Sequence, residues 1–338
     1  MAEITRIGLD TSKNVFVPHG VDAQDRPVLS RKLRRAEVEG FFARLPPALV
    51  GLEACGAAHH WARVLESLGH QVRLLPPQYV KPYLKRGKND ARDAEAICEA
   101  MARPSMRFVP VKSRDSQAAL MLHGARDLPV RQRTMLSNAI RGHAAEFGLC
   151  AAKGPGNVTE LLERIAADEG LPALARGILA LLGEQLAALQ ERIAALDRRL
   201  LAWHRASELS RRLATIPGVG PIAASALAMK VPDPAAFRSG RHLAAWMGLT
   251  PKDHSTAGRQ RLGGITRAGD EGLRRLLVAG ATAVVRHARA GKGPAWLSGL
   301  LARKPGKLAA VAWANKVART AWALMVSGET YQQRRAAA

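Results

Sequence analysis

The first hundred residues alternate between short runs with the two-residue period of strands and longer stretches with the helical period. The pattern predicts strands at 4–10, 14–20 and 26–33, then a helix at 36–45, a strand at 48–53, a helix at 57–68, a strand at 70–75 and a helix at 90–103. We expect the first three strands to be antiparallel. The chain therefore begins with a mixed α/β domain.

The rest of the chain is mainly helical in pattern. Helices are predicted at 114–148, which contains Pro129, and at 270–289 and 308–326, with a Gly/Pro break at 153–157. Between them, apolar residues at alternating spacings of three and four form a heptad seam: Leu179, Leu182, Leu186, Leu189, Ile193, Leu196, Leu200 and Trp203. The seam fits one amphipathic helix packed on its own domain. It also fits an antiparallel or intersubunit coiled coil, which we favour because the flanking positions are polar.

The order βββαβαβα of the first domain is that of an RNase H-like fold, in which helices flank a mixed five-stranded sheet. Four carboxylates occupy particular places in it. Asp10 ends the first strand, Glu53 ends the fourth, and Asp90 and Asp93 open the last helix. The first and fourth strands of such a sheet are neighbours, and residues three apart on a helix face the same way. We expect one acidic cluster.

Carboxylate oxygens are hard ligands that suit Mg²⁺ or Mn²⁺, and a pair of such ions can activate phosphodiester chemistry. Each acid also has a simpler interpretation. Asp90 can complement the dipole at a helix N-terminus, and a single acid at a strand end is usually solvated. The four acids together favour a metal site.

Charge is unevenly distributed along the 338 residues. The net charge is +23, and residues 204–338 carry 22 Lys/Arg against 6 Asp/Glu, which gives +16. A folded region with this excess is expected to bind a polyphosphate; the alternative is a solvated basic surface without a ligand. The longest apolar run, 276–285, is too short to span a bilayer, and no signal peptide is recognisable. Three separated cysteines favour a reduced, cytoplasmic setting, nucleoid-associated when DNA is bound.

A second candidate site lies in the Gly-rich, loop-like stretch 248–270. Ser255 is surrounded there by cations suited to meet a phosphate: Lys252, Arg259, Arg261 and Arg267. A serine used as a nucleophile needs a base or metal to activate it, whereas a loop serine on its own is more often a turn residue. We assign no role to His254, because adjacent residues rarely face each other.

The segment IPGVGPIAASA at 216–226 has the Gly-Val-Gly turn of a helix-hairpin-helix. Exposed amides around Gly218 and Gly220, at a helix N-terminus, can hold a phosphate. A tight turn between two helices can also need two glycines, so the segment fits an ordinary helical turn as well as a helix-hairpin-helix.

At these residues the sequence resembles insertion-sequence transposases with a DEDD, RuvC-like domain. That family is related to the Piv DNA invertases and is understood as bridge-RNA-guided serine recombinases. The specific motifs are IGLDTSK at 7–13, GLEACG at 51–56, KNDARDAEAI at 88–97, IPGVGP at 216–221 and the long segment at 237–270. The resemblance extends over nearly the whole chain.

The resemblance implies that Asp10, Glu53, Asp90 and Asp93 bind the metal, Mg²⁺ or Mn²⁺, and that Ser255 is the nucleophile that joins DNA. It also implies a coiled coil that mediates assembly and a noncoding bridge RNA that pairs with target and donor DNA. We accordingly expect a RuvC-like catalytic domain at 1–150, a coiled-coil segment at 151–206 and a mainly α-helical transposase domain at 207–338.

The leading hypothesis is a DNA transposase or site-specific recombinase that forms a phosphoserine intermediate. It acts as a homo-oligomer, a dimer or tetramer assembled through the coiled coil, and it has no membrane partner. One alternative is a metal-dependent RuvC-like junction endonuclease that uses water. The other is a non-catalytic nucleic-acid-binding scaffold whose carboxylates are structural.

Overall fold

A computed structural model describes residues 3–84, 89–154, 156–256 and 258–332. Lys88, the first residue of the KNDARD motif, lies outside the described residues. The chain divides into two compact units, Met1–Arg114 and Asp115–Ala338. By its contacts, the long helix predicted at 114–148 belongs to the second unit, although the sequence grouped it with the α/β domain. None of the described helices is both long and apolar enough to cross a membrane.

The first unit has the predicted order of elements. Its strands are β1 (Arg6–Thr11), β2 (Val15–Val21), β3 (Pro27–Ser30), β4 (Leu33–Arg34), β5 (Leu49–Glu53) and β6 (Gln71–Leu75). Its helices are α1 (Val38–Phe42), α2 (Ala58–Ser67), α3 (Pro77–Val80) and α4 (Asp90–Ala100). The sheet order is β3-β2-β1-β5-β6, with β4 paired to β2. The first three strands are antiparallel, and β5 is parallel to both β1 and β6. The expected mixed sheet is confirmed.

The predicted third strand, 26–33, is divided into β3 and β4. The Arg31 amide between them donates a 3.4 Å hydrogen bond to the Pro18 carbonyl of β2. Proline has no N–H with which to return a bond, so the ladder is interrupted at this point.

Helices cover both faces of the sheet. On one face, α1 and α2 contribute Phe42, Trp61 and Leu65 to an apolar cluster with Ile7 and Leu9 of β1. On the other face α4 packs against β1, β2 and β5. This second face carries the carboxylates described below.

The second unit is helical, with one small β-hairpin. Its helices are α5 (Arg114–Ala145), α6 (Gly156–Ala167), α7 (Ala173–Ala206), α8 (Glu208–Leu213), α9 (Pro221–Lys230), α10 (Gly240–Trp246), α11 (Glu271–Arg289), α12 (Ala295–Leu301) and α13 (Gly306–Ser327). The hairpin is formed by β7 (Pro251–Asp253) and β8 (Leu262–Ile265). Helices α11 and α13 occupy the segments predicted at 270–289 and 308–326. The hairpin replaces part of the stretch that the sequence indicated as a loop.

Helix α7 carries the heptad seam and buries every second member of it. Leu179, Leu186, Ile193 and Leu200 are at most 6% exposed. Leu179 and Leu186 pack with Ile140 near the end of α5, while Arg126, nearer the start of α5, pairs with Asp197 further along α7. The two helices therefore run antiparallel. The chain itself occupies these positions, and a coiled coil between subunits remains a prediction.

Candidate active-site residues

The three aspartates of the predicted acidic cluster converge in the first unit. One carboxylate oxygen each from Asp10, Asp90 and Asp93 lies within 4.8 Å of the others. Asp10 and Asp93 are half-buried, and Asp90 is exposed. Asp10 lies at the end of β1, and the other two come from the first turn of α4, where Asn89 caps the helix by accepting the Ala91 amide at 3.0 Å. Strand end and helix start thus meet at one point.

A pair of glycines allows α4 to approach the sheet so closely. Gly8 of β1 and Gly51 of β5 are directly paired in the parallel ladder. A Cβ on Gly8 would lie 2.1 Å from the Ala94 carbonyl oxygen of α4, and one on Gly51 would lie 2.7 Å from Met101 Sδ. Side chains alternate between the faces of a strand, so the acid two residues after each glycine points to this same face.

Glu53 borders the aspartate cluster from the end of β5. Its backbone neighbour Leu52 pairs with Leu9, so β5 ends beside Asp10. Burial raises the pKa of the Glu53 carboxyl, and the negative charges of Asp10 and Asp93 raise it further. Each charge disfavours ionisation of its neighbour. All four predicted acids therefore belong to one electrostatically coupled group.

Such a group fits a divalent cation. Several half-buried like charges repel one another, and a cation with oxygen ligands turns this repulsion into attraction. When no cation is bound, the positive end of the α4 dipole offsets part of the repulsion between the carboxylates. The side chains present are the hard oxygen donors that Mg²⁺ and Mn²⁺ select.

The second predicted site is the exposed hairpin of the second unit. Ser255 lies two residues after the end of β7, and hydrogen bonds of two backbone amides hold it there. The Arg261 amide donates to Ser255 Oγ at 3.1 Å. Asp253 Oδ1 accepts the Ser255 amide at 2.8 Å. The nearby Ser255 side chain and the Ser255 amide lower the pKa of Asp253, so its carboxylate is ionised at neutral pH.

The hairpin exposes its cations together with the serine. The four basic residues that the sequence grouped with Ser255 are all exposed: Lys252, Arg259, Arg261 and Arg267. The ring of His254 lies on the opposite side from Asp253, because a Cβ on Gly263 would meet its Nε2 at 3.3 Å.

Gly218 and Gly220 lie in the turn between α8 and α9. Gly218 has φ +89°, and a Cβ there would lie 2.9 Å from Val284 Cγ2 and 3.0 Å from the Gly280 carbonyl oxygen of α11. Packing of the turn therefore requires glycine at this position. Gly220 immediately precedes α9, is exposed and has open space around it. Helices α8 and α9 flank this turn; a helix-hairpin-helix at this place, and phosphate binding by it, stay predictions.

Sequence reasoning missed two features of these sites. One is the glycine pair that seats α4. Its signal is the repeated pattern Ile-Gly-Leu-Asp at 7–10 and Val-Gly-Leu-Glu at 50–53, which the ladder aligns residue for residue. The other is Asp253, which is two residues before Ser255 and therefore on the same side of the β7 extension.

Comparison with known proteins covers both units. Residues 210–294 match the family described as "Transposase IS116/IS110/IS902 family". Residues 7–148 match the DEDD_Tnp_IS110 family, described as "Transposase". Both candidate sites fall within these matches.

Several full-length relatives are similar to the chain. It is 60% identical to the "Putative transposase y4pF/y4sB" of Sinorhizobium fredii, over 98% of this chain and 86% of the relative. It is 51% identical to the "Probable family 20 transposase" of Pseudomonas aeruginosa, over 97% of this chain and 99% of the relative. It is 39% identical to the "Transposase for insertion sequence element IS1111A" of Coxiella burnetii, over 98% of this chain and 92% of the relative.

Proposed function

Because the chain belongs to the IS116/IS110/IS902 family of transposases, we propose that it exchanges DNA strands through a phosphoserine intermediate formed at Ser255. As a transposase it acts on DNA and is an enzyme, which excludes the non-catalytic scaffold. The observation that carries the proposal is the exposed Ser255, whose hydroxyl oxygen accepts the Arg261 amide and whose own amide donates to the Asp253 carboxylate.

In the proposed step, Ser255 Oγ attacks a DNA phosphorus atom. An Oγ–P bond forms and a P–O bond to the deoxyribose breaks. The Ser255 hydroxyl releases its proton to water, and the leaving oxygen takes up a proton from water to become a hydroxyl. Asp253 accepts the Ser255 amide and so holds the serine in position for the attack. The exposed Lys252, Arg259 and Arg261 contact the neighbouring phosphates. Reversal of the step with a different hydroxyl rejoins the strand.

Asp10, Glu53, Asp90 and Asp93 would hold Mg²⁺ or Mn²⁺ in this proposal. A divalent cation there would supply positive charge to stabilise the anionic oxygens of the phosphodiester. Support comes from the convergence of three carboxylates within 4.8 Å and from the raised pKa of Glu53 beside them. The family is a DEDD transposase family, and divalent-metal use follows from that class; the choice of ion is part of the proposal.

Guidance by a noncoding bridge RNA, which pairs with target and donor DNA, is a further part of the proposal. The net charge of +23 supports it, because a protein that holds two kinds of polyanion needs a large positive excess. Purification from a host that carries the native flanking sequence, followed by sequencing of the copurified RNA, tests it. A discrete RNA encoded beside the gene is expected; its absence contradicts guidance.

We also propose a homo-oligomer, a dimer or tetramer, assembled around α7. Besides its buried seam, α7 has a stripe of exposed apolar residues on another side: Leu174, Ile178 and Leu181, which are 77%, 47% and 60% exposed. Unpartnered apolar side chains of this size favour an interface. Light scattering of Ile178→Glu is expected to show a smaller species than the wild type.

The serine proposal is tested by trapping DNA on the protein. Cells that express the transposase with its native flanking sequences are lysed in detergent, and covalent protein–DNA adducts are isolated. Ser255→Ala is expected to abolish the adduct. Thr256→Ala, which removes the neighbouring hydroxyl, is expected to retain it. An adduct that persists in Ser255→Ala would refute the assignment.

The junction endonuclease that uses water is the competing mechanism. It predicts that DNA cleavage survives Ser255→Ala, forms no adduct and is lost in Asp10→Ala. The specific observation in its favour is that the carboxylate cluster is complete within the first unit. Scoring cleavage and adduct in the same samples separates the two mechanisms.

A further inference from the structure

After Glu271, the first residue of α11, the sequence of helices α11–α13 contains no carboxylate side chain. Between Gly272 and Gly328 there are ten Lys or Arg residues and no Asp or Glu. Among the residues that the structure describes, Arg275 is the one of these ten in an ion pair, with Asp127 at 2.8 Å. Seven others are exposed: Arg286, Arg289, Lys292, Arg303, Lys304, Lys307 and Arg319. Cations without competing acids attract a polyanion strongly.

A large aromatic side chain is exposed within this basic region. Trp296 in α12 is 45% exposed, whereas Trp313 in α13 is 2% exposed. Their ring centroids are 6.1 Å apart. Lys316 Nζ lies 4.7 Å from the centroid of Trp296 and 5.6 Å from that of Trp313. A cation and a second indole thus contact part of the Trp296 ring, and the remainder faces solvent.

Buried neighbours fix the position of the Trp296 ring. Leu297, the next residue of α12, is fully buried. Trp313 donates its Nε1 proton to the Pro217 carbonyl oxygen at 3.2 Å, which ties it to the turn that contains Gly218 and Gly220. The exposed ring therefore rests on a rigid support and loses little conformational entropy when a ligand stacks on it.

A flat exposed ring among cations suits a ligand that combines a flat face with negative charge. Nucleotides have both, since aromatic side chains stack on the bases and Lys or Arg contact the phosphates. In a duplex the faces of the bases are already stacked on one another, so the ligand must be unpaired. An acidic protein surface would satisfy the cations but would not use the ring in this way.

We propose that Trp296 is a stacking platform for an unpaired nucleobase in a single-stranded segment of nucleic acid, with the cations of 289–307 on the flanking phosphates. The proposal requires that the transposase handle an unpaired strand. It does not depend on Ser255 as nucleophile or on the metal site. The strand can be displaced DNA or RNA, and the two share this chemistry.

Oligonucleotide binding tests the platform. The full-length protein is titrated in EDTA, so that no cleavage occurs, with fluorescently labelled 12-mers of dT or rU and with an abasic 12-mer of equal charge. The wild type is expected to bind a base-containing strand more tightly than the abasic strand. Trp296→Leu is expected to weaken base-containing binding about tenfold and to leave abasic binding unchanged, while Trp296→Tyr retains most of the preference.

Trp246→Leu is the matched control, because Trp246 is 37% exposed and packs on Phe237, with no cation over its ring among the residues that the structure describes. It is expected to bind like the wild type. A larger loss for rU than for dT in Trp296→Leu identifies RNA as the ligand, and the reverse identifies DNA. The proposal is overturned if Trp296→Leu keeps the full preference for bases, or loses abasic binding equally. A change of oligomeric state without loss of the preference also overturns it, because the ring then contacts a second copy of the chain.

Discussion

Gly8 and Gly51 are paired in neighbouring parallel strands, and α4 lies directly over them. The pair links the sheet to the candidate metal site. Each glycine precedes its strand's carboxylate by two residues, and α4 brings Asp90 and Asp93 to the same place. A helix displaced from these glycines would take two of the four acids with it.

We expect Gly8→Ala to separate the carboxylates. Its Cβ would lie 2.1 Å from the Ala94 carbonyl oxygen, and because that atom is backbone, α4 as a whole must move. The expected cost is about 1–3 kcal/mol in free energy of unfolding, with weaker Mn²⁺ binding by calorimetry. Gly56→Ala is the control, since its Cβ would meet nothing within 4 Å. Unchanged metal affinity in Gly8→Ala would contradict this role for the glycine.

Glu53→Gln is expected to stabilise the protein when no metal is bound. The pKa of Glu53 is raised, so its favourable contribution is present at acid pH and is lost as the pH rises through that pKa. At neutral pH the charged Glu53 carboxylate therefore lowers the free energy of unfolding until a bound cation neutralises it. Thermal unfolding in EDTA should show a higher Tm for Glu53→Gln than for the wild type.

Addition of Mg²⁺ should reverse this order. A ligand that binds the native state raises Tm, and the variant has one fewer charged ligand to offer. A variant that melts below the wild type in EDTA would instead show that Glu53 is held by favourable contacts.

Asp253→Asn is expected to slow adduct formation about tenfold by loosening the orientation of the Ser255 hydroxyl. The lowered pKa of Asp253 keeps its carboxylate charged throughout the neutral range, so the wild-type rate should show no loss from this group between pH 6 and 8. Binding of uncleaved DNA should stay within twofold of the wild type. These quantities are measured by quenched time courses and filter binding.

Asp233→Asn is the matched control for that variant. Asp233 accepts the amide two residues further on, from Ala235 at 2.8 Å, as Asp253 does from Ser255. Loss of the negative charge at the equivalent turn position of Asp233 should leave the rate unchanged. An equal slowing in both variants would mean that folding, and not the serine, is affected.

The stability of the second unit should depend on His123. Burial, followed by the charge of Lys230, lowers the pKa of this histidine to about 4, and its Nε2 lies 3.1 Å from Ser225 Oγ. A lowered pKa means that stability is complete above the unfolded value and falls as the pH drops from about 6.5 towards 4. The expected loss is about 3 kcal/mol.

Denaturant unfolding at several pH values between 4 and 6.5 measures how steeply the free energy of unfolding changes with pH. His123→Asn should flatten this slope, whereas His143→Asn, at an exposed histidine of the same helix, should not. An unchanged slope in His123→Asn would place the acid sensitivity elsewhere, for instance at His59, whose pKa is also lowered to about 4.

The elements of the first unit could be predicted from the sequence because they depend on local signals. Strand period, turn residues and the Pro46-Pro47 break identify the order of elements, and the structure follows it from Arg6 to Ala100. The four acids could be selected in the same way, since each lies where an element begins or ends. The hairpin at 251–265 escaped prediction because its strands are three and four residues long, and glycines hide their alternation.

By itself the sequence determined the class of fold, the acids and serine to examine, and the location of the positive charge, because each is a property of neighbouring residues. Only the tertiary structure decided which distant residues meet. Pairing of β1 with β5 aligned two glycines 43 positions apart, and α4 could pack on them because neither has a side chain. Hairpin pairing brought the Arg261 amide to Ser255, and packing of α12 on α13 left Trp296 exposed beside Lys316. Such contacts depend on how elements pack, which a local pattern does not specify.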